Sequence, residues 1–342
     1  MALLRQELDP ATMLHDAFAY LLVAAITCLI AATIPADGSL RQTEWLLIAF
    51  WNTALVLQLA MGWSIISLPS VDPWYWDRFR GWAENPNQVG LYCAVFTPLS
   101  LGLALSSKGF GRIAGSFSCL LSFAVGRLTK SDTFLVAMVA AIALFLVLRL
   151  RTWLTSPEHR FGLRFAVAVF VTIAAVPLSL SFIAYAVATA DDVESLAISL
   201  AKDQGGDATK RTATLRLQLW GDALNRGLES GSLGLGPGPH LEKPYVAKRH
   251  ALPQPFEAHS TLLDVFTQGG LLGVLAVCGL FAGTIVLVLR AGLDALAALI
   301  AALAIFSISH FILRQPTVWF ALALSLILGS ARAPSSPARI GR

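Results

Sequence analysis

The chain has 342 residues, of which 56% are hydrophobic and 13% charged, and its formal net charge is +4. A charged fraction about half that of ordinary soluble domains argues against a soluble globular protein. The small net charge argues against a polycationic surface for nucleic acids. The four cysteines lie in apolar runs without CxxC spacing, which indicates packing residues rather than disulfides or metal ligands.

Apolar runs close to the ~20 residues that a helix needs to cross a bilayer recur along the chain. They predict spans at 15–34, 43–66, 88–106, 112–126, 132–150, 163–189, 261–289, 293–311 and 316–330. The expected fold class is therefore all-α: a polytopic transmembrane helical bundle of about nine to ten spans, forming a single integral membrane domain over residues 1–342. The first helix is expected to be retained, because no clear cleavage site follows it.

The short loops orient this bundle. Residues 149–164 carry four arginines against one glutamate, so the positive-inside rule places them in the cytoplasm. Counting spans from there predicts that 67–87, 127–132 and the long loop 190–260 are external, on the periplasmic side. The same count places the amino terminus outside, which its composition does not support, so a missed or merged helix near the start is the alternative.

Two of the external segments carry aromatic or basic residues. Trp74, Tyr75, Trp76 and Trp82 form either an interfacial belt or a platform for stacking sugars. Asn85-Pro86-Asn87 predicts a turn that begins the next helix.

Arg127 and Lys130 stand outside against the positive-inside bias. They either snorkel from helix ends or form a phosphate clamp, and the nearby Asp132 would partly neutralise them.

The long external loop contains one predicted amphipathic helix, at 209–229. Its apolar stripe is Ala213, Leu217, Trp220, Leu224 and Leu228. Arg216 is an i, i+4 neighbour of Trp220 at the edge of this stripe, whereas Arg211 points elsewhere on the helix.

Two further features complete the loop. The sequence Gly234-Leu235-Gly236-Pro237-Gly238 predicts a tight turn whose amides could face an anion, although most such turns only reverse the chain. His259 then lies where the loop re-enters the membrane. A lone histidine there is either a surface residue that caps a membrane helix or a titrating group of an active site.

These segments, in this order, resemble the O-antigen ligase and polymerase family of bacterial membrane glycosyltransferases. The resembling motifs are Trp82-Ala83-Glu84-Asn85-Pro86-Asn87, Thr129-Lys130-Ser131, Arg216 to Trp220 with the Gly234–Gly238 turn, and His259-Ser260 through Gly270 and Gly273. Two positions depart from the family pattern. Asp132 stands where the family has an arginine, and Gln268 stands where it has an acidic residue.

The resemblance implies a GT-C-like fold and a metal-independent, inverting glycosyl transfer without a cofactor. His259 would be the base and Arg216 the diphosphate ligand. Substrate-binding roles would fall to Lys130, Arg127, Arg211, Trp220, Asn85, Asn87, Gly236 and Gly238.

The donor implied is an undecaprenyl-diphosphate-linked glycan at the outer face of the bacterial cytoplasmic membrane. The acceptor would be another glycan or a lipid A-core, and a flippase and a chain-length regulator would be partners. Leu263-Asp264-Val265 slightly favours an exopolysaccharide or O-antigen polymerase over a ligase.

Two alternatives remain open. A flippase of lipid-linked glycans would need charged residues within its spans, and the spans are nearly free of charge. A non-catalytic family member is compatible with Asp132 in place of the family arginine.

Overall fold

The computed structural model describes residues 10–33, 38–68, 71–155, 207–242 and 255–332. This part of the chain holds nine helices: α1 (Pro10–Thr33), α2 (Gly38–Gly62), α3 (Pro86–Ser106), α4 (Phe110–Leu128), α5 (Asp132–Thr155), α6 (Asp207–Glu229), α7 (Thr261–Arg290), α8 (Asp294–Ser309) and α9 (Pro316–Arg332). Two short antiparallel hairpins pair β1 (Trp74–Tyr75) with β2 (Arg78–Phe79) and β3 (Leu241–Glu242) with β4 (Pro255–Phe256). The all-α fold class is confirmed.

The helix boundaries follow the apolar runs of the sequence closely. Within the described ranges, α2, α3, α5 and α7 are long and apolar enough to cross a membrane, while the apolar stretches of α1, α8 and α9 are shorter. The run at 112–126 corresponds to α4. The predicted span 163–189 lies outside the described residues, as do parts of the predicted loop 190–260.

The connections between helices gather at two ends of the bundle. At one end, which we call the His259 end, Lys130 pairs with Asp77, and the Thr261 hydroxyl donates to the carbonyl of His310 at 2.7 Å. At the other, the Arg149 end, the guanidinium of Arg149 lies 3.5 Å from the carboxylate of Asp294. Helix α3 runs from the first end to the second, a rise of roughly 30 Å for its length.

Polar groups inside the bundle join α2, α3 and α4. The Ser118 hydroxyl donates to Asn52 at 2.9 Å and lies 2.8 Å from the Ser100 hydroxyl. Helices α3 and α4 approach closely at Gly115, where a Cβ would lie only 2.8 Å from the backbone nitrogen of Ala104. Small residues and shared hydroxyls are the usual means of packing helices in a membrane, where apolar surface alone gives no preference for protein over lipid.

Helix α7 is broken at Gly270, which has φ 63° and ψ −159°. The break frees backbone groups that an unbroken helix would pair with each other. The freed amide of Leu271 donates to the carbonyl of Ser232 at 2.9 Å. In return, the carbonyls of Thr267 and Gln268 accept from the amides of Leu235 and Gly236, at 2.7 and 2.9 Å. The segment 232–236 therefore replaces the helical hydrogen bonds that the kink removes.

Glycines on both sides permit this backbone contact. A Cβ on Gly270 would lie 2.2 Å from the carbonyl oxygen of Ser232, and one on Gly234 would lie 2.5 Å from the carbonyl oxygen of Gln268. Both residues also have positive φ angles, which side chains disfavour. Because both the close contact and the φ angle exclude a side chain, this backbone contact requires glycine at positions 234 and 270.

We expect Gly270→Ala to lower the free energy of unfolding by more than about 2 kcal/mol, through strain and loss of the turn contact. The matched control is Gly269→Ala, since a Cβ at that position meets no atom within 4 Å. It should be neutral, or stabilising by up to about 1 kcal/mol through helix propensity. Thermal unfolding of the purified protein in detergent measures both. Equal effects of the two substitutions would contradict the docking.

Candidate active site

His259 lies in the short connection between β4 and α7, and its backbone is held in an unusual conformation. Its φ is 54°, in the left-handed region, and its side chain is half-buried. The two flanking amides explain how this shape is kept. Both donate to the carboxylate of Asp264: Ala258 at 2.7 Å and Ser260 at 3.1 Å. With Asp264 only 2% exposed, the carboxylate works as a buried clamp on the histidine loop.

Helix α6 holds the same loop from the other side. The indole N–H of Trp220 donates to the carbonyl of Ala258 at 3.0 Å. The peptide segment before His259 is thus fixed by α6 through its carbonyl and by α7 through its amide. A small apolar core of Leu219, Ala223, Leu241 and Ala258 packs beneath this junction.

The helix predicted at 209–229 is confirmed, but the prediction of its buried face is wrong. Leu217, Leu224 and Leu228 are 37%, 47% and 56% exposed among the described residues, whereas Leu219, Ala223 and Gly227 are buried. The physical reason is the closeness of α7: a Cβ on Gly227 would lie 2.3 Å from the ring of Phe266. Small residues rather than large ones therefore form the contact.

The corrected face changes the position of Arg216. Residues 216, 220, 223 and 227 follow the 3/4 spacing of one helical stripe, and this stripe contacts the histidine loop and α7. Arg216 is half-buried on the same stripe, one turn before Trp220. Arg216 thus lies on the face of α6 that contacts the histidine loop, not at the edge of that face. The backbone of Arg211 lies in α6, but its side chain lies outside the described part of the structure.

The loop after α8 adds a cation that sequence reasoning missed. Arg314 forms an ion pair with Glu257, two residues before His259, and lies 5.1 Å from the ring centroid of Phe311. Thr261, next to the histidine loop, binds the same region, accepting from the amide of Ile312 at 3.1 Å. Counting spans from the cytoplasmic loop 149–164 also places Arg314, between the predicted spans 293–311 and 316–330, outside against the positive-inside bias, and that anomaly is the available signal.

The predicted turn at Asn85-Pro86-Asn87 is confirmed. Asn85 caps α3 by accepting from the amide of Asn87 at 2.8 Å. The side-chain oxygen of Asn87 accepts from the guanidinium of Arg78 at 2.9 Å, and Arg78 also donates to the carbonyl of Thr129 at 3.0 Å. Arg78 is only 8% exposed, so this guanidinium cross-links the hairpin, α3 and the 129–131 turn from within. Sequence reasoning missed this role.

Lys130 and Arg127 both reach the surface at this turn. Lys130 has a φ of 49° and lies 2.5 Å from the carboxylate of Asp77, whose pKa it holds below its usual value through hydrogen bonding and charge. The guanidinium of Arg127 is exposed in the last turn of α4 and has no hydrogen bond or ion pair to any part of the chain that the structure describes.

Asp132 has a structural explanation. It is the first residue of α5, where a negative charge favours the helix dipole, and the preceding Ser131 caps that helix by accepting from the amide of Phe134 at 3.3 Å. The hydroxyl of Thr133 lies 3.0 Å from that of Ser309. Through Ser309 the turn is connected to His310, and from there to Thr261 beside the histidine.

The glycine turn reaches the site through its backbone. The amide of Gly236 donates a hydrogen bond to the carbonyl of Gln268, and the carbonyl oxygen of Gly236 lies 2.6 Å from the ring Nε2 of His240. That amide therefore serves the α7 kink and is not available for the expected contact with an anion. Gly238 is buried with φ 117°.

The arrangement at this end is a half-buried histidine, a guanidinium on the facing helix, and further cations around them, in a bundle with apolar helices of membrane-spanning length. This defines a membrane protein with basic and titratable side chains gathered at one end of its bundle. Residues 117–278 match the O-antigen ligase family model, a stretch from α4 to the middle of α7 that includes Lys130, Arg216 and His259. The resemblance to O-antigen ligases and polymerases is confirmed over these residues. Among curated proteins, none matches the chain.

We expect Asp264→Asn to loosen the histidine loop, because an amide presents only one acceptor oxygen to the two N–H groups. Hydrogen exchange at the amides of Ala258 and Ser260 should become faster by about tenfold or more. Asp222→Asn, an exposed change on α6, is the control and should leave these amides as they are. Unchanged exchange in the Asp264 variant would show that the carboxylate does not hold the loop.

Proposed function

We propose that this protein is a metal-independent glycosyltransferase that takes a glycan from an undecaprenyl-diphosphate-linked donor. The match of residues 117–278 to the O-antigen ligase family model supports a ligase- or polymerase-type reaction. The observation that carries the proposal at the residue level is the bond from Trp220 to the carbonyl of Ala258. Through it, the helix that bears Arg216 is fixed against the loop that bears His259.

In the proposed reaction, His259 takes the proton of the acceptor hydroxyl. The acceptor oxygen then forms a bond to the anomeric carbon of the donor glycan, while the bond from that carbon to the diphosphate oxygen breaks. The leaving diphosphate carries the electron pair away. An imidazole, whose reference pKa in model peptides is ~6.5, can accept a proton at neutral pH. Attack opposite the leaving group inverts the anomeric configuration.

Arg216 stabilises the charge that develops on the departing diphosphate. Its planar guanidinium can grip two phosphate oxygens together, and such donors contribute most in a site with little water. Its half-buried position on the face of α6 that meets the histidine loop supports this role. The exposed guanidinium of Arg127 and the ammonium of Lys130 would attract the donor, with Asp77 as the partner that Lys130 must release.

The other expected substrate contacts divide by their geometry. Trp220, whose N–H holds the histidine loop, remains a proposed substrate contact, as do Arg211 and Gly238. Asn85, Asn87 and Gly236 would keep the shape of the site rather than bind substrate directly, since each makes a hydrogen bond within the protein that stabilises the site.

Localisation follows from the same proposal. The His259 end would face the periplasm in a multi-pass protein of the bacterial inner membrane. Leu263-Asp264-Val265 favours a polymerase, whose acceptor would be a growing glycan. A ligase would instead use a lipid A-core as acceptor. A flippase and a chain-length regulator would be partners. The clamp made by Asp264 explains why an acidic residue is useful at that position, though it does not separate the two activities.

We expect His259→Ala to lower the transfer rate by roughly 10²–10⁴, the usual contribution of a general base. Arg216→Lys should lower it by about tenfold or more, because an ammonium cannot replace a bidentate grip. The control is Arg226→Lys, the same exchange ten residues further along α6, which should transfer normally. Transfer from lipid-linked donor in membrane vesicles measures all three. Near-normal transfer by correctly inserted His259→Ala protein would remove the histidine from the mechanism.

Sidedness is tested by single cysteines in a cysteine-free background. Glu229→Cys lies at the His259 end and Lys108→Cys at the Arg149 end, and both positions are exposed. An impermeant thiol reagent on intact spheroplasts should label position 229 but not position 108 until the membrane is opened. The reverse pattern would place the histidine in the cytoplasm.

A further inference from the structure

The Arg149 end of the bundle contains a cavity that has no part in the chemistry of His259. It lies between the ends of α2, α3, α5, α8 and α9, and its volume is about 480 Å³. This falls within the ~300–1,000 Å³ of typical small-molecule sites. Helix α3 separates the cavity from the histidine end by roughly 30 Å, so the two sites cannot share one small ligand.

Charged residues of both signs line the cavity. Arg41 and Glu44 come from the first turns of α2, Arg149 from the last turns of α5, and Asp294 from the start of α8. Glu44 is only 7% exposed, so a carboxylate lies deep in the wall. The lining therefore has two guanidiniums and two carboxylates. This balance does not favour a purely anionic ligand.

Neighbouring groups of the protein hold the guanidiniums of Arg41 and Arg149 in place. Arg41 donates to the carbonyl of Ser106 and to the hydroxyl of Ser107, both at 2.9 Å. Arg149 lies 3.5 Å from Asp294 and 5.4 Å from the ring centroid of Phe145. Each uses only part of its five N–H donors in these contacts, and half of the Arg149 side chain is exposed.

Leucine side chains form most of the apolar part of the wall, among them Leu103, Leu105 and Leu296. The cavity is thus polar at its charged rim and apolar beside it. It also lies at the ends of helices α3 and α5, which are long and apolar enough to cross a membrane. Lipid headgroups occupy this level in a bilayer, with their acyl chains running along the apolar helices.

We propose that this cavity binds the headgroup of a zwitterionic phospholipid of the ethanolamine class. Arg41 and Arg149 bind the phosphate, and Glu44 and Asp294 bind the primary amine. The leucines contact the glycerol and the first methylene groups. The site goes beyond the glycosyl transfer proposed above and is independent of it.

The test is native mass spectrometry of the purified full chain, titrated with short-chain phosphatidylethanolamine, phosphatidylcholine and phosphatidylglycerol. The ethanolamine lipid should bind about tenfold more tightly than either of the others. Quaternary choline cannot donate hydrogen bonds to the carboxylates, and glycerol carries no positive charge. Equal binding of the three lipids would overturn the proposal, as would preference for phosphatidylglycerol.

Glu44→Gln is the decisive variant, because it removes charge with almost no change of shape. It should weaken phosphatidylethanolamine binding by about tenfold and leave phosphatidylglycerol binding unchanged. A misfolded protein would lose both. Arg149→Gln should weaken both lipids, since both carry a phosphate. The control Arg112→Gln removes an exposed cation at the same end that does not line the cavity, and it should bind like the unmodified protein. Loss of binding in that control equal to the loss in Arg149→Gln would overturn the site.

Free phosphoethanolamine distinguishes a lipid from a soluble ligand. It should compete only at concentrations about a hundredfold above those of the short-chain lipid, because it lacks the groups that contact the leucines. Competition at equal concentration would overturn the assignment to a lipid.

Discussion

The structure depends on one requirement of a membrane interior: every backbone N–H and C=O must find a partner within the protein. Helix α7 breaks at Gly270, about nine residues after its start, and so exposes an amide and two carbonyls inside a span. The segment 232–236 supplies the missing partners. This contact fixes the end of α6, and with it the direction from which Arg216 and Trp220 approach His259. The break by itself would leave backbone groups without hydrogen bonds. Paired with segment 232–236, it instead brings α6 and α7 together at the candidate site.

Buried charged side chains at the His259 end also find their partners within the protein. The carboxylate of Asp264 is satisfied by two amides, and Arg78 by a carbonyl and the side chain of Asn87. These buried groups hold backbone segments and the side chain of Asn87 in place. Nearer the surface lie Arg127 and Lys130, the latter paired with Asp77, together with half-buried Arg216 and His259. In the proposed function, the accessible cations would meet the anionic, lipid-linked diphosphate, while the buried groups keep the shape of the site.

Much of this could be predicted from the sequence, and the failures have physical causes. Helix boundaries follow apolar length, and the turn at Asn85 follows capping chemistry, because both depend on neighbouring residues. The buried face of α6 was predicted wrongly because large apolar residues dominate a periodicity argument, whereas the close contact with Phe266 selects Gly227 and Ala223. The hydrogen bonds between 232–236 and α7 join backbone atoms far apart in sequence. Their only sign in the sequence is the glycines that permit the contact. The roles of Asp264 and Arg78 could not be read from spacing either, since their partners are backbone groups that tertiary structure brings near.

The central claim is that α6 and α7 both hold the backbone of one residue, Ala258, and so place His259 for reaction. A double-mutant cycle on transfer rate tests it, with Trp220→Phe removing the indole donor and Asp264→Asn weakening the carboxylate clamp. Because both act on the backbone of the same residue, the second change should cost less once the first has freed the loop. We expect a coupling energy between about 0.5 and 3 kcal/mol. Additive effects, within about 0.5 kcal/mol, would mean that the two contacts act separately and would contradict the account.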